Sequence, residues 1–124
     1  MSKKLKVLLI DDDAAVVSFL TLKLSKYFDI VSTTEPAEVV ELAGSEKPDV
    51  ILCDINMPGM KGDEVAFNLG NDRDTGRIPI VYLSAVVPAD GTTELDDSFG
   101  GHLAISKSAP LSELLRVIEQ VTAR

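Results

Sequence analysis

The sequence predicts an α/β fold: a doubly wound, five-stranded parallel sheet in the order 2-1-3-4-5, formed by one domain over 1–124. Three observations carry this expectation. Short apolar runs alternate with helix-length segments five times along the chain, and such runs read as strands buried on both faces. The connections are short, which implies right-handed crossovers with helices on both sides of one sheet. Four of the runs also end in a polar residue: Val7–Ile10 in Asp11-Asp12, Val50–Cys53 in Asp54, Ile78–Leu83 in Ser84 and His102–Ser106 in Lys107. Ligands of open α/β sheets bind outside the carboxyl ends of the strands, where the strand order reverses. In the order 2-1-3-4-5 the reversal lies between the first and third strands, which end in Asp11-Asp12 and Asp54.

The elements follow in order. Leu5 to Ile10 is the first strand. Ala14 to Lys26 is a helix, with Asp13 as N-cap and Val16, Phe19, Leu20 and Leu24 on its apolar face. Asp29 to Ser32 is a short second strand. Pro36 suits the first turn of a second helix, whose apolar side is Val39, Val40, Leu42 and Ala43 and which is expected to end at Gly44. The third strand covers Asp49 to Cys53. Asn56 to Gly62 is turn chemistry throughout. A third helix covers Asp63 to Leu69, followed by an exposed loop to Arg77 and a fourth strand over Ile78 to Leu83. Pro88, Gly91, Gly100 and Gly101 interrupt the next segment, where Leu95 and Phe99 suggest a short helix over Thr92 to Ser98. Leu103 to Ser106 is the fifth strand. The last helix begins near Pro110, with Leu111, Leu114, Leu115, Ile118 and Val121 at helical spacing.

Composition narrows the function. The 124 residues suffice for one core, and 45% are hydrophobic, so the chain folds rather than remaining disordered. A formal net charge of −8 argues against direct contact with nucleic acid or an anionic membrane, and suits a divalent cation or a basic partner surface. The apolar run after Met1-Ser2-Lys3-Lys4 is too short for a signal peptide, and no run approaches the ~20 apolar residues of a membrane span. A soluble cytoplasmic protein is expected. The single cysteine, Cys53, excludes an internal disulfide, and its place inside an apolar run reads as core packing rather than a reactive thiol. His102, beside glycines at the start of a strand, reads as a packing or solvent residue.

The acids admit two readings. Asp11 to Asp13 could simply cap the first helix and face solvent. With Asp54 beside them, the better reading is a metal and phosphate site, because clustered carboxylates need a counter-charge and magnesium takes a few carboxylates, waters and substrate phosphate. Asp54 is then a candidate nucleophile toward phosphorus, with Lys107 neutralising charge on the transferred oxygens and Ser84 donating a hydrogen bond to one of them.

These residues resemble the receiver domain of two-component response regulators, in the CheY-like superfamily, over essentially the whole of 1–124. Leu8-Leu9-Ile10-Asp11-Asp12-Asp13 is similar to the family's first-strand acidic motif. Asp49 to Gly62, through Asp54-Ile55-Asn56-Met57-Pro58-Gly59, is similar to its phosphoacceptor segment. Leu83-Ser84-Ala85 and Lys107 match its switch hydroxyl and strand-five lysine. The resemblance implies a flavodoxin-like (βα)5 architecture and definite roles. Asp54 would accept a phosphoryl group from a phosphohistidine on a histidine kinase or histidine phosphotransfer domain. Asp11, Asp12, Asp54 and the Asn56 carbonyl would hold Mg2+, with Mn2+ able to substitute. Ser84, the Ala85 amide and Lys107 would bind the phosphoryl oxygens. The domain would catalyse only its own phosphorylation and slow hydrolysis, and would otherwise not be an enzyme. Ser84 would move toward the new group, shifting populations of two pre-existing arrangements. Output would pass to a partner or a further domain through the family's fourth helix, fifth strand and fifth helix, a surface that also allows a homodimer.

Two positions depart from the family pattern. Lys107 is followed by Ser108 where the family has proline after a cis bond. A cis bond before a non-proline residue costs about 3 kcal/mol, so the bond is either trans with a rebuilt loop or strained. Ala104 stands where the family often has Tyr or Phe, so coupling through a moving ring is absent or replaced. Two other functions compete. A phosphorylation-independent binding module would be expected to lack an acid or the lysine, and none is missing. A haloacid dehalogenase-type phosphatase needs an acid two residues after the nucleophile, where this chain has Asn56.

Overall fold

The computed structural model describes residues 4–55, 57, 59, 62–84, 92–94 and 103–123. The apolar runs form strands β1 (Lys6–Ile10), β2 (Asp29–Thr33), β3 (Val50–Asp54), β4 (Ile80–Ser84), β5 (Thr92–Glu94) and β6 (Leu103–Ser106). The sheet order is β2-β1-β3-β4-β6-β5. All pairings are parallel except that of β5 with β6. The five parallel strands therefore follow the expected 2-1-3-4-5 order, with β6 as the fifth.

Helices α1 (Ala14–Leu24), α2 (Val39–Glu46), α3 (Gly62–Gly70) and α4 (Leu111–Thr122) connect or follow them. Alternate strand residues feed two apolar layers, as period-2 geometry requires. Val7, Leu9, Leu52, Val81 and Ile105 pack with Leu20 and Leu24 of α1 and Leu114, Val117 and Ile118 of α4. Leu8, Ile10, Ile51, Cys53 and Tyr82 pack with Val39 and Ala43 of α2 and Val65 and Leu69 of α3. The central strand β3 is buried over its whole length. Among the described residues no helix is long and apolar enough to cross a membrane.

The caps follow local chemistry. Asp13 precedes α1 with extended backbone, and its side chain accepts from the Ala15 N–H at 2.9 Å. Pro36 opens a 3-10 turn, Pro36–Glu38, that leads into α2.

Three sequence expectations change. First, α2 does not stop at Gly44. It runs to Glu46 and ends on Lys47, which takes the left-handed conformation (φ 51, ψ 58) while its N–H donates to the Ala43 carbonyl. Pro48 is the stop signal, since it cannot continue the helix. Second, Phe19 lies outside the buried face of α1 and is 55% exposed, with the Lys23 ammonium 5.0 Å from its ring centre. The core side of α1 is Val16, Val17, Leu20 and Leu24. Third, the helix expected over Thr92 to Ser98 is a strand at 92–94, in register Thr92↔Ile105, Thr93↔Ala104 and Glu94↔Leu103. Two β-branched threonines suit a strand, and pairing there satisfies the backbone edge of β6 that would otherwise be open. Residues 95–98 and the rest of the fourth-helix segment lie outside the described residues, as does His102.

The corrected end of α2 has a measurable consequence. An added Cβ at Gly44 meets nothing within 4 Å, so Gly44→Ala should stabilise by roughly 0.5–1 kcal/mol as an interior helix position. Lys47→Gly should also stabilise, by about 0.5–1 kcal/mol, through relief of the left-handed backbone. Urea midpoints of both variants check this; a lowered midpoint for Gly44→Ala would restore glycine as the helix terminator.

Candidate functional site

Parallel register builds the site. Ile10 pairs with Cys53, so Asp11 and Asp54 emerge side by side at the carboxyl ends of β1 and β3. These strands are the switch point, because the chain leaves them toward opposite edges of the sheet. Asp54 pairs with Leu83, and Ser84 with Ser106, so Ser84 lies one residue beyond the Asp54 level and Lys107 follows at the end of β6.

Asp11 is fully buried and Asp54 is 4% exposed, whereas Asp12 faces solvent. One oxygen of each of Asp11, Asp12 and Asp54 falls within 4.8 Å of the others. The Lys107 ammonium is 2.9 Å from Asp11 Oδ2 and 3.2 Å from Asp54 Oδ2. The other Asp11 oxygen, Oδ1, accepts from the Asp13 N–H at 2.9 Å. Asp11 thus divides its two oxygens between the turn that starts α1 and the cation. Three carboxylates against one ammonium leave an excess of negative charge suited to a divalent ion. Three carboxylate oxygens gathered this closely are a hard-oxygen donor set of the kind magnesium takes.

The site charges act on their neighbours. Burial works to lower the pKa of the Lys107 ammonium, but its hydrogen bonds and charge interactions with Asp11 and Asp54 outweigh that effect and raise it. Burial, reinforced by the charges of Asp54 and Asp11, pushes the Cys53 thiol up to about 12. Its Sγ lies against the Asp54 carbonyl at 3.4 Å. Cys53 is therefore an inert core residue.

The structure brings together Asp11, Asp12, Asp54 and Lys107, and sets Ser84, 4% exposed, at the adjoining strand end. Asn56 and Ala85, expected to contribute a carbonyl and an amide, lie outside the described residues. Sequence reasoning passed over Ser106 and Lys23. Ser106 is buried, and its Oγ accepts from the Ser108 N–H at 3.0 Å. Lys23 donates from α1 to the Ala109 carbonyl at 3.1 Å, tying that helix to the Lys107 turn. The Ser-Lys-Ser run at 106–108 was the available signal, since a serine two residues before a free N–H favours such a turn.

The Lys107–Ser108 bond is trans, as no cis peptide occurs among the described residues. The loop is rebuilt as a hydrogen-bonded turn, and that turn uses the N–H that proline lacks. Ala104 is fully buried and pairs in register with Tyr82, so the aromatic ring on this face belongs to β4.

Comparisons with known proteins converge. The family model of the response regulator receiver domain matches residues 7–119. The chain is 33% identical over 120 residues to the nitrate/nitrite response regulator protein NarL of Escherichia coli, covering 94% of this chain and 54% of that protein. It is 34% identical over 82 residues to the response regulator PleD of Caulobacter vibrioides, covering 65% of this chain and 18% of that one. The chain thus spans less than two thirds of the length of these curated relatives. Two solved structures share the fold. A putative response regulator from Chloroflexus aurantiacus has a TM-score of 0.84 at 22% identity, covering 98% of this chain and 100% of that one. The receiver domain of a sensor histidine kinase from Pseudomonas aeruginosa has a TM-score of 0.83 at 19% identity, with the same coverage, and was solved with magnesium coordinated in its active site cleft.

The raised pKa values set an alkaline limit on stability. The Cys53 contribution is fully present below pH 9, the thiol's ordinary value, and is lost above it, because the unfolded chain then releases a proton that the folded one keeps to about 12. The raised Lys107 value acts at higher pH: its contribution is present below the ordinary lysine pKa and is lost as pH rises through the folded value. Stability of the parent protein should therefore fall more steeply above pH 9 than that of Cys53→Ala, the slopes differing by up to about 1.4 kcal/mol per pH unit. Urea midpoints from pH 8 to 10.5 measure it, and parallel curves would refute the assignment. Iodoacetamide at pH 8 should label Cys53 only after unfolding.

Proposed function

This chain belongs to the response regulator receiver domain family of two-component systems, and on that premise we propose that it is a phosphoacceptor whose Asp54 takes a phosphoryl group from a partner phosphohistidine. The observation that carries the reading is Lys107 Nζ set between the carboxylates of Asp11 and Asp54, with Asp12 beside them, at the switch point of the sheet.

An Asp54 oxygen attacks phosphorus, the P–N bond breaks, and the histidine nitrogen leaves with the bonding pair. The product carries roughly −1.5 to −2 charge where a carboxylate stood. Lys107 is already beside the attacking carboxylate, so its ammonium needs little movement to face a phosphoryl oxygen, and preorganised charge of this kind lowers the barrier. Ser84, at the end of the adjoining strand, offers a hydroxyl to another oxygen. Asp11, held by the Asp13 N–H, keeps Lys107 anchored while Asp54 changes charge. Asp11, Asp12 and Asp54 would hold magnesium, together with the Asn56 carbonyl. Bound there, the ion supplies a positive charge that offsets the acids and the incoming phosphoryl oxygens.

The partners in this reading are a histidine kinase or histidine phosphotransfer domain as donor and a separate surface or domain as output. Displacement of Ser84 and its loop toward the phosphoryl group alters what the output partner meets. The role is signalling, with turnover confined to the domain's own aspartyl-phosphate.

Incubation with magnesium and acetyl phosphate should add one phosphoryl group to the intact mass. Asp54→Asn and a sample in EDTA should gain none. A folded protein that binds magnesium but takes no phosphoryl group would overturn the phosphoacceptor role and favour a phosphorylation-independent binding module. Calorimetric titration supplies the metal arm: Asp12→Ala should weaken magnesium binding by roughly tenfold or more, and unchanged affinity would remove Asp12 from the ligand set.

A further inference from the structure

Lys107 reaches Asp11 and Asp54 from a turn, beyond the end of its strand. A lysine carries its charge on four flexible carbons, so the backbone from which it starts decides where the ammonium can go. Besides the tie from Lys23 to the Ala109 carbonyl, three hydrogen bonds made by the sheet and the turn themselves fix that backbone. The Lys107 N–H donates to the Ser84 carbonyl at 3.1 Å, carrying the β4–β6 ladder one residue past the strands. The Ala109 N–H donates to the Ser106 carbonyl at 3.1 Å and closes the turn. Within the turn, the Ser108 N–H donates to Ser106 Oγ at 3.0 Å.

The third bond differs from the others because it depends on a side chain. Ser106 is 4% exposed, and its hydroxyl holds the peptide that follows Lys107, while the Ser84 carbonyl holds the one before it. Removal of the hydroxyl leaves the Ser108 N–H without that acceptor and the turn free to take other shapes.

We infer that Ser106 is a positioning residue of the phosphoryl-transfer site, its hydroxyl holding the 106–109 turn in the shape from which Lys107 Nζ reaches both Asp11 and Asp54. The inference rests on the reading of Asp54 as phosphoacceptor only for its kinetic consequence. Its geometric content is independent of that reading.

The test compares the parent protein with Ser106→Ala and Ser106→Thr. With acetyl phosphate and saturating magnesium, followed by intact mass, Ser106→Ala should be phosphorylated about tenfold more slowly or worse, since a misplacement near 1 Å costs up to about a hundredfold. Ser106→Thr keeps the hydroxyl and should recover most of the parent rate. Magnesium affinity by calorimetry should not fall in either variant, because the three acids are untouched and a displaced ammonium only removes a competing positive charge. A general loss of structure would lower affinity and rate together. Equal rates for the parent and Ser106→Ala, or no recovery in Ser106→Thr, would overturn the inference. A second measurement stands apart from phosphorylation: the Lys107 methylene signals next to Nζ in 13C-lysine-labelled protein, assigned by their loss in Lys107→Arg. A fixed ammonium gives inequivalent protons, which should average together in Ser106→Ala; an unchanged pattern overturns the inference. If the parent protein takes no phosphoryl group, the Asp54 reading fails and this signal alone decides the role of Ser106.

Discussion

The structure depends on holding several carboxylates together at the edge of an apolar sheet. Asp11 and Asp54 are buried at adjacent strand ends, in surroundings where like charges repel strongly. The arrangement stands because Lys107 lies between them. Parallel register brings the lysine there: β1 beside β3, β3 beside β4, and β4 beside β6. A slip of one residue in any of these pairs would turn the strand's side chains to the opposite face. It would bury the wrong residues and separate the charges together, so core packing and site geometry constrain each other.

That coupling is visible at Cys53 and Asp54. Cys53 packs with the layer formed by α2 and α3, and the next residue along β3 turns its carboxylate to the ammonium. The same low-polarity surroundings that strengthen the Lys107 contacts oppose ionisation of the neighbouring thiol. One environment thus keeps the Asp54 carboxylate beside a cation and leaves the cysteine without reactivity.

Much of this was legible in the sequence because each strand end carries its chemistry in adjacent letters. The five parallel strands, their order and the gathering of Asp11, Asp12, Asp54 and Lys107 follow from apolar runs and the residues that close them. What escaped notice depended on tertiary context. Phe19 fits a helical apolar stripe, but α1 meets the sheet along Val16, Val17, Leu20 and Leu24. Gly44 has the composition of a helix stop, yet the proline four residues later decides where α2 ends. Leu95 and Phe99 suggested a helix over a segment whose first residues instead pair with β6, since an open strand edge outweighs a weak local preference. Ser106 was hidden for another reason: a serine within an apolar run looks like filler until the hydrogen bond it accepts is known.

The two departures from the family pattern now have structural accounts of different kinds. At Ala104 the side chain is small and the neighbouring strand supplies the bulk, with Tyr82 paired opposite it in the same buried layer. After Lys107 the change concerns the means of constraint. Proline would restrict the backbone through its own ring and offer no N–H. Serine restricts nothing by itself, but its N–H enters a bond with Ser106 Oγ while the peptide remains trans. A ring constraint persists whatever surrounds it, whereas a hydrogen bond holds only while its acceptor is in place. The location of the site's cation is thereby tied to a single buried hydroxyl on β6, and Lys23 adds a tie from α1 to the same turn. The lysine that compensates the acids is placed by the fold's hydrogen bonding, and so the charge balance of the site and the integrity of the 106–109 turn stand or fall together.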